Sequence, residues 1–223
     1  MIEALVFDFD GVIIDTEIPS YETWQEVYAA HGAHLDRALW QRQIGGGTHK
    51  FDAIRHLEEL TGVRLDREAV EKSRKERHDA RVRSSPLMPG VLEYIQEARR
   101  LGVKLGVASS SSLAWVEGHL AERGLFSLFQ SVATREDVAR IKPDPALYLV
   151  ALQRLGVSPD RAVAIEDSLN GLTAAKRAGM FCVAVPNPMT GDLPLESADL
   201  RLGALSDMRL HTLLDTLTRP PPL

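Results

Sequence analysis

Five short runs rich in aliphatic and β-branched residues recur along the chain: ALVFDF, KLGVAS, SVAT, RAVAIED and FCVAVP. Amphipathic segments of helix length separate them. Runs of this length with helical spacers are the pattern of βαβ units. Their apolar residues are consecutive instead of alternating, so both faces of the sheet should be covered, as in a parallel sheet flanked by helices. The expected fold is therefore α/β, a doubly wound Rossmann-like parallel sheet. One section breaks the rhythm. From about Glu17 to Ser85 only helical patterns occur, among them YETWQEVYAAHG, KFDAIRHLEELTG and DREAVEKSRKERHDARV. The return segment RSSPLMPG is rich in turn residues and leads into VLEYIQEARRLG, a helix closed by Gly102. The organisation expected is a core made of residues 1–16 and 86–223, with an all-helical insertion over 17–85 and hinges near Thr16 and Ser85.

Composition narrows the function classes. The chain has 223 residues, 44% hydrophobic and 26% charged, which is ordinary for a folded globular protein. A formal net charge of −5 and no long Lys/Arg run argue against a nucleic acid or an anionic membrane surface as partner. There is no basic start followed by an apolar signal core, and no apolar run near bilayer length, so a cytoplasmic location is expected. Cys182 is the sole cysteine; it can form no internal disulfide, and FCVAVP suits a buried strand thiol. The seven His show no metal-ligand spacing. A small-molecule partner is expected, with the chain a monomer or weak homo-oligomer.

Four polar clusters follow strand-like runs: Asp8/Asp10, Ser109 to Ser112, RIKPDP with Lys142, and Glu166/Asp167. In an open parallel sheet the carboxyl ends of the strands share one edge, so these clusters converge. Unpaired carboxylates buried there would cost several kcal/mol each, so a cation is expected. Oxygen ligands without Cys or His suit Mg²⁺, bound by Asp8, Asp10 and Asp167 with help from Glu166. Phosphoryl transfer needs a nucleophile, charge neutralisation and a proton for the leaving oxygen. Asp8 could attack phosphorus. Asp10 could protonate the leaving alcohol and then activate water. Gly11 would let the chain turn beside the phosphate, the Ser109 and Ser110 segment would donate to its oxygens, and Lys142 would offset charge.

The stretches DFDGVIIDTE, VASSSS, IKPDP and AIEDSLNG, in this order and strand context, resemble the four motifs of the haloacid dehalogenase superfamily of phosphohydrolases. That resemblance implies Asp8 as nucleophile, Asp10 as acid/base with its backbone carbonyl on the metal, Ser109 and Lys142 on phosphate, and Asp167 on Mg²⁺. It further implies that the helical insertion is a type I cap closing over small phosphate esters. The run DTE, Asp15 to Glu17, is similar to the phosphatase and β-phosphoglucomutase-like branch. Thr16, the glycine-rich loop IGGGTHK with Gly46, Gly47 and His49, and Lys75 are the expected substrate contacts from the cap side. The mutases of that branch carry a hinge-side His near the position of Ser20 and a cap Arg near that of His49. Both are missing here, which favours hydrolysis, with a sugar phosphate the expected substrate.

Plainer readings exist for each group. Asp8 and Asp10 alone could be strand-end carboxylates; Asp167 or Ser168, and one Ser of SSSS, could cap helices; Lys142 could be a solvated turn residue. GGGTHK lacks the spacing of a nucleotide-binding P-loop and follows a helical pattern. Trp24 and Trp40 read as helix packing. Three competing functions are a β-phosphoglucomutase-like phosphotransferase, a dehalogenase, and a phospho-accepting signalling module that gathers similar residues around an aspartate.

Overall fold

This computed structural model describes residues 1–41 and 51–218. The described residues form a six-stranded, all-parallel sheet, in the order β3-β2-β1-β4-β5-β6. The strands are β1 (Ala4–Phe7), β2 (Lys104–Ala108), β3 (Ser131–Ala133), β4 (Ala162–Glu166), β5 (Phe181–Ala184) and β6 (Leu200–Arg201). The first five coincide with the five apolar runs. The sixth, only two residues at the sheet edge, was not anticipated, because DLRLG is too short and too polar to register as a strand. Cys182 is a buried free thiol in β5.

Helices cover both faces, and successive residues of β1 face opposite ways, as strand geometry requires. Leu5 and Phe7 join one core cluster, which takes in α5 (Val91–Leu101), α6 (Leu113–Glu122) and α9 (Leu210–Thr218). Ala4 and Val6 join the other, with α7 (Ala146–Leu155) and α8 (Leu169–Arg177). That second cluster is rich in alanine, which lets α7 and α8 lie close to the sheet.

Between β1 and α5 come α1 (Glu17–Ala30), α2 (Arg37–Gln41), α3 (Ala53–Thr61) and α4 (Arg67–Ser84), and the described residues there contain no named strand. They share a small core of their own, built on Trp24, Val27, Tyr28, Leu35, Ala53, Ile54 and Leu57, with Trp40 packed against it. Asp15 Oδ1 accepts from the backbone N–H groups of Glu17 and Ile18, satisfying the first turn of α1. The outgoing and returning segments pair: Ile14 bridges Leu87, and Met88 N–H donates to the Ile13 carbonyl at 2.9 Å. Arg123, just past α6, donates from Nη2 to the carbonyls of Val82, Arg83 and Ser85 at 3.0–3.1 Å. A guanidinium on these orphan carbonyls fixes the C-terminal end of α4 to the sheet-bearing part of the molecule.

Candidate active site

The chain runs from β1 outward through β2 and β3, then returns to add β4 on the other side of β1. The carboxyl ends of β1 and β4 thus flank the point where strand order reverses, the ordinary ligand crevice of such a sheet. Phe7 is level with both Val107 and Ile165, so Asp8 leaves β1 beside Glu166 at the end of β4. Oxygens of Asp8, Glu166 and Asp167 lie within 4.8 Å of one another, all three residues being buried.

Lys142 sits inside this cluster and donates to Asp8 Oδ1 and Glu166 Oε1, each at 2.5 Å. Burial pulls the ammonium pKa down, but the two carboxylates outweigh that and hold it above its usual value. Burial likewise pushes Asp8 up to about 7; Glu166 and Asp10 add to the rise and Lys142 opposes it. Asp167 is raised by burial and by the charges of Asp8 and Glu166. Three buried carboxylates with one lysine are short of positive charge.

Glu166 is the best-satisfied member. Besides Lys142 it accepts from Tyr148 Oη at 2.6 Å and Ser168 Oγ at 3.2 Å. Its carboxylate lies where a Cβ on Gly171 would stand, 1.8 Å from Oε1, so α8 must carry glycine there. Ser168 caps α8 by accepting from Gly171 N–H at 3.1 Å, and Ser112 caps α6. The plainer capping role thus falls to these two serines, leaving Asp167 in the cluster and the Ser109 hydroxyl on Asp10. Gly11 has φ +82°, and a Cβ there would stand 2.3 Å from Asp167 Oδ2. Both facts demand glycine.

Asp10 points elsewhere. Its Oδ1 accepts from Trp115 Nε1 at 2.9 Å, and its Oδ2 from Ser111 Oγ at 2.6 Å and Ser109 Oγ at 3.4 Å. A cavity of about 490 Å³ opens above these groups. Asp8, Asp10, Ser110, Lys142 and Asp167 line its sheet side; Thr16, Lys75, Arg74, His78 and Asp79 line the other. Of the residues singled out in the sequence, Asp8, Asp10, Thr16, Lys75, Ser110, Lys142 and Asp167 meet at one cavity, with Gly11, Ser109 and Glu166 directly behind them. Gly46, Gly47 and His49 lie outside the described residues.

Several residues at the site were not among the candidates singled out in the sequence. Asn187 donates to Asp167 Oδ2 at 2.6 Å and holds the carboxylate in place. As a polar residue just past FCVAVP, it obeys the same strand-end rule that found the others. Tyr148 and Trp115 lie one helical turn into helices, where nothing in the pattern separates them from core aromatics. Glu17 also lines the cavity, and burial, with the charges of Asp10, Asp15 and Asp8, raises it to about 8.

The haloacid dehalogenase-like hydrolase family model matches residues 2–179. The chain belongs to that family. YhcW of Bacillus subtilis is 48% identical over 97% of this chain and 98% of its own length. Hexitol phosphatase B of Escherichia coli is 30% identical, covering 95% of this chain and 96% of the enzyme. The crystal structure of CbbY from Rhodobacter sphaeroides in complex with phosphate superposes with a TM-score of 0.74 at 33% identity, over 93% of this chain and 96% of CbbY. This haloacid dehalogenase-like protein is a phosphoric monoester hydrolase, a phosphatase acting on phosphorylated substrates. Among the described residues no helix is long and apolar enough to cross a membrane.

Proposed function

We propose that the protein is a Mg²⁺-dependent phosphatase that hydrolyses a small phosphomonoester, a sugar phosphate by preference, through an aspartyl phosphate on Asp8. The observation that carries this reading is the buried triad of Asp8, Glu166 and Asp167 around Lys142 at the floor of a polar cavity. Its donor set fits a hard divalent ion. Every available ligand atom is oxygen, and the burial, with the added repulsion of neighbouring carboxylates, that raises Asp8 and Asp167 is what a cation would offset. Asp8, Asp167 and the Asp10 backbone carbonyl would hold it, while Glu166, already met by Lys142 and Tyr148, would serve mainly to orient them. When bound, Mg²⁺ would neutralise charge on the transferred phosphoryl group and keep Asp8 ionised.

In the first step an Asp8 carboxylate oxygen bonds to phosphorus as the bond from phosphorus to the ester oxygen breaks. The departing oxygen takes the proton carried by Asp10. In the second step Asp10 removes a proton from water as its oxygen attacks phosphorus, the bond to Asp8 breaks, and phosphate leaves. Lys142 and the Ser109–Ser110 segment balance the equatorial oxygens. The helices over 17–85 act as a cap whose Lys75 and Glu17, with Thr16 at the hinge, meet the rest of the substrate, with water excluded while the ester is cleaved. Hydrolysis is favoured over mutase chemistry because Ser20, not a histidine, lines the hinge side of the cavity.

The test is acid quenching during turnover of a radiolabelled hexose phosphate, with phosphate release and isomerisation both followed. Label should appear on the peptide containing Asp8, disappear in Asp8→Asn, and require divalent metal. A labelled protein that never turns over would instead support the signalling module, and isomerisation without phosphate release the mutase.

A further inference from the structure

Every hydrogen bond that the Asp10 carboxylate makes among the described residues comes from one stretch of chain, the β2–α6 turn and the start of α6. Ser111 and Ser109 hold Oδ2, and the Trp115 indole N–H holds Oδ1. Donors on both oxygens fix the plane of a carboxylate as well as its position. Meanwhile Asp8, Glu166 and Asp167 cluster without it. The Trp115 indole is itself held by two rings. Its ring lies parallel to His78 of α4, centroids 5.6 Å apart and planes 17° apart. His119 meets it edge-on at 4.2 Å and stacks in turn on Phe9, the residue before Asp10. His78 Nε2 lies 3.4 Å from the Thr16 carbonyl, at the start of α1.

We propose that Trp115 is a positioning residue for Asp10, and that its stack on His78 makes the placement of that carboxylate depend on where α4 sits. The inference rests on Asp10 being the proton carrier. Trp115 lines the same cavity, but its indole N–H is spent on Asp10 Oδ1, so it acts on proton delivery through Asp10. Its indole N–H fixes the carboxylate only while the ring keeps its plane, and the ring keeps its plane only while His78 and His119 press on it. A displacement of α4 removes one of these walls. Proton delivery is thereby tied to the helices that form the far side of the cavity.

Leaving-group dependence separates this role from a structural one. An alkoxide needs its proton as the ester bond breaks, whereas p-nitrophenolate leaves with little help, so a misplaced acid lowers kcat/KM, which reports this first step and not the shared hydrolysis that follows, more on glycerol phosphate than on p-nitrophenyl phosphate. In the full-length protein, Trp115→Phe should lower the alkyl-to-aryl ratio of kcat/KM about tenfold, part of the 10²–10⁴ that a positioned acid supplies. In an Asp10→Asn background it should lower the ratio no further. Equal loss on both esters, or a further fall in the Asp10→Asn background, overturns the proposal. Should Trp115→Phe fold poorly, the isosteric benzothienylalanine at position 115 removes only the N–H and must give the same fall in ratio. For the link to α4, His78→Ala should lower the ratio several-fold and His78→Phe, which keeps a stacking ring, should restore it; equal ratios in the two variants overturn that link. If Asp10→Asn by itself leaves the ratio unchanged, the reading of Asp10 as proton carrier fails, whatever Trp115 does.

Discussion

On the sheet side of the cavity the charged groups are buried and answer one another. Lys142 meets Asp8 and Glu166, Tyr148 meets Glu166, and Asn187 meets Asp167. On the α4 side the charges sit on the outside of a helix in which Val82 is the one fully buried side chain. Lys75 pairs with Asp79, Arg77 with Glu26, and Arg81 with Glu22 and Glu26, each pair having at least one substantially exposed partner. The same kinds of side chain therefore carry different energies. A buried pair that loses one partner leaves an uncompensated charge costing about 3–5 kcal/mol, whereas an exposed pair contributes about 0–1 kcal/mol. The sheet side is held in one geometry, and the α4 side can exchange residues cheaply, which under the proposed function suits a surface that selects substrate.

Removing the shared cation should have the largest effect. Lys142→Met keeps the stem but leaves Asp8 and Glu166 buried without their positive partner, so the loss in urea unfolding free energy should be about 3 kcal/mol, and turnover should fall by more than about 100-fold. A loss under about 1 kcal/mol would mean that the two sides do not differ as argued.

Gly11→Ala comes next. The residue sits at φ +82°, and its new Cβ would stand 2.3 Å from Asp167 Oδ2 and 2.7 Å from Asn187 Nδ2. The left-handed conformation alone costs about 1–2 kcal/mol, and the displaced Asp167 should weaken Mg²⁺ binding as well, read by calorimetric titration. Unchanged metal affinity would detach Asp167 from the ion.

The contrast also explains what the sequence disclosed. Asp8, Ser109, Lys142 and Glu166/Asp167 were legible because a parallel sheet obliges strand-end residues to converge, so four local patterns combine into one site. Tyr148 and Trp115 were not, since one helical turn inside an apolar helix an aromatic that orients a carboxylate looks the same as one that fills the core. On the α4 side, Lys75 was legible only through resemblance, and Arg74, His78 and Asp79 not at all, because a polar helical face carries no periodic mark of which charge turns toward a cavity. The short edge strand Leu200–Arg201 escaped for a simpler reason, having too few residues to alternate.

A smaller effect should appear in the pH dependence of stability. In the folded chain Asp8 is raised from an ordinary 3.8 to about 7, so the native state holds its proton more tightly than the unfolded state does. The contribution of such a group to stability is fully present below about pH 4 and is lost as pH rises through about 7. Metal binding requires the ionised form and reverses this trend. The rise in Tm given by saturating Mg²⁺ should therefore be small near pH 5 and grow by several degrees toward pH 8. A rise independent of pH would place the ion away from Asp8.

Lys75→Ala should have the smallest effect on folding and a selective one on catalysis. The Lys75–Asp79 pair is one turn apart on α4, and the lysine side chain is 66% exposed. Its loss removes an i,i+4 interaction of about 0.3–0.5 kcal/mol, partly offset by the better helix propensity of alanine, so Tm should move by no more than a degree or two. Lys75 nonetheless lines the cavity opposite Asp8 and Lys142, where it can reach the part of a substrate remote from phosphorus. Contacts of that kind are made alike in the ground and transition states. KM should rise several-fold with kcat nearly constant on a sugar phosphate, and both constants should stay level on p-nitrophenyl phosphate, which has no hydroxyls for the lysine to meet. A fall in kcat on both substrates would give Lys75 a part in the chemical step and erase the division between a fixed sheet side and an exchangeable helical side.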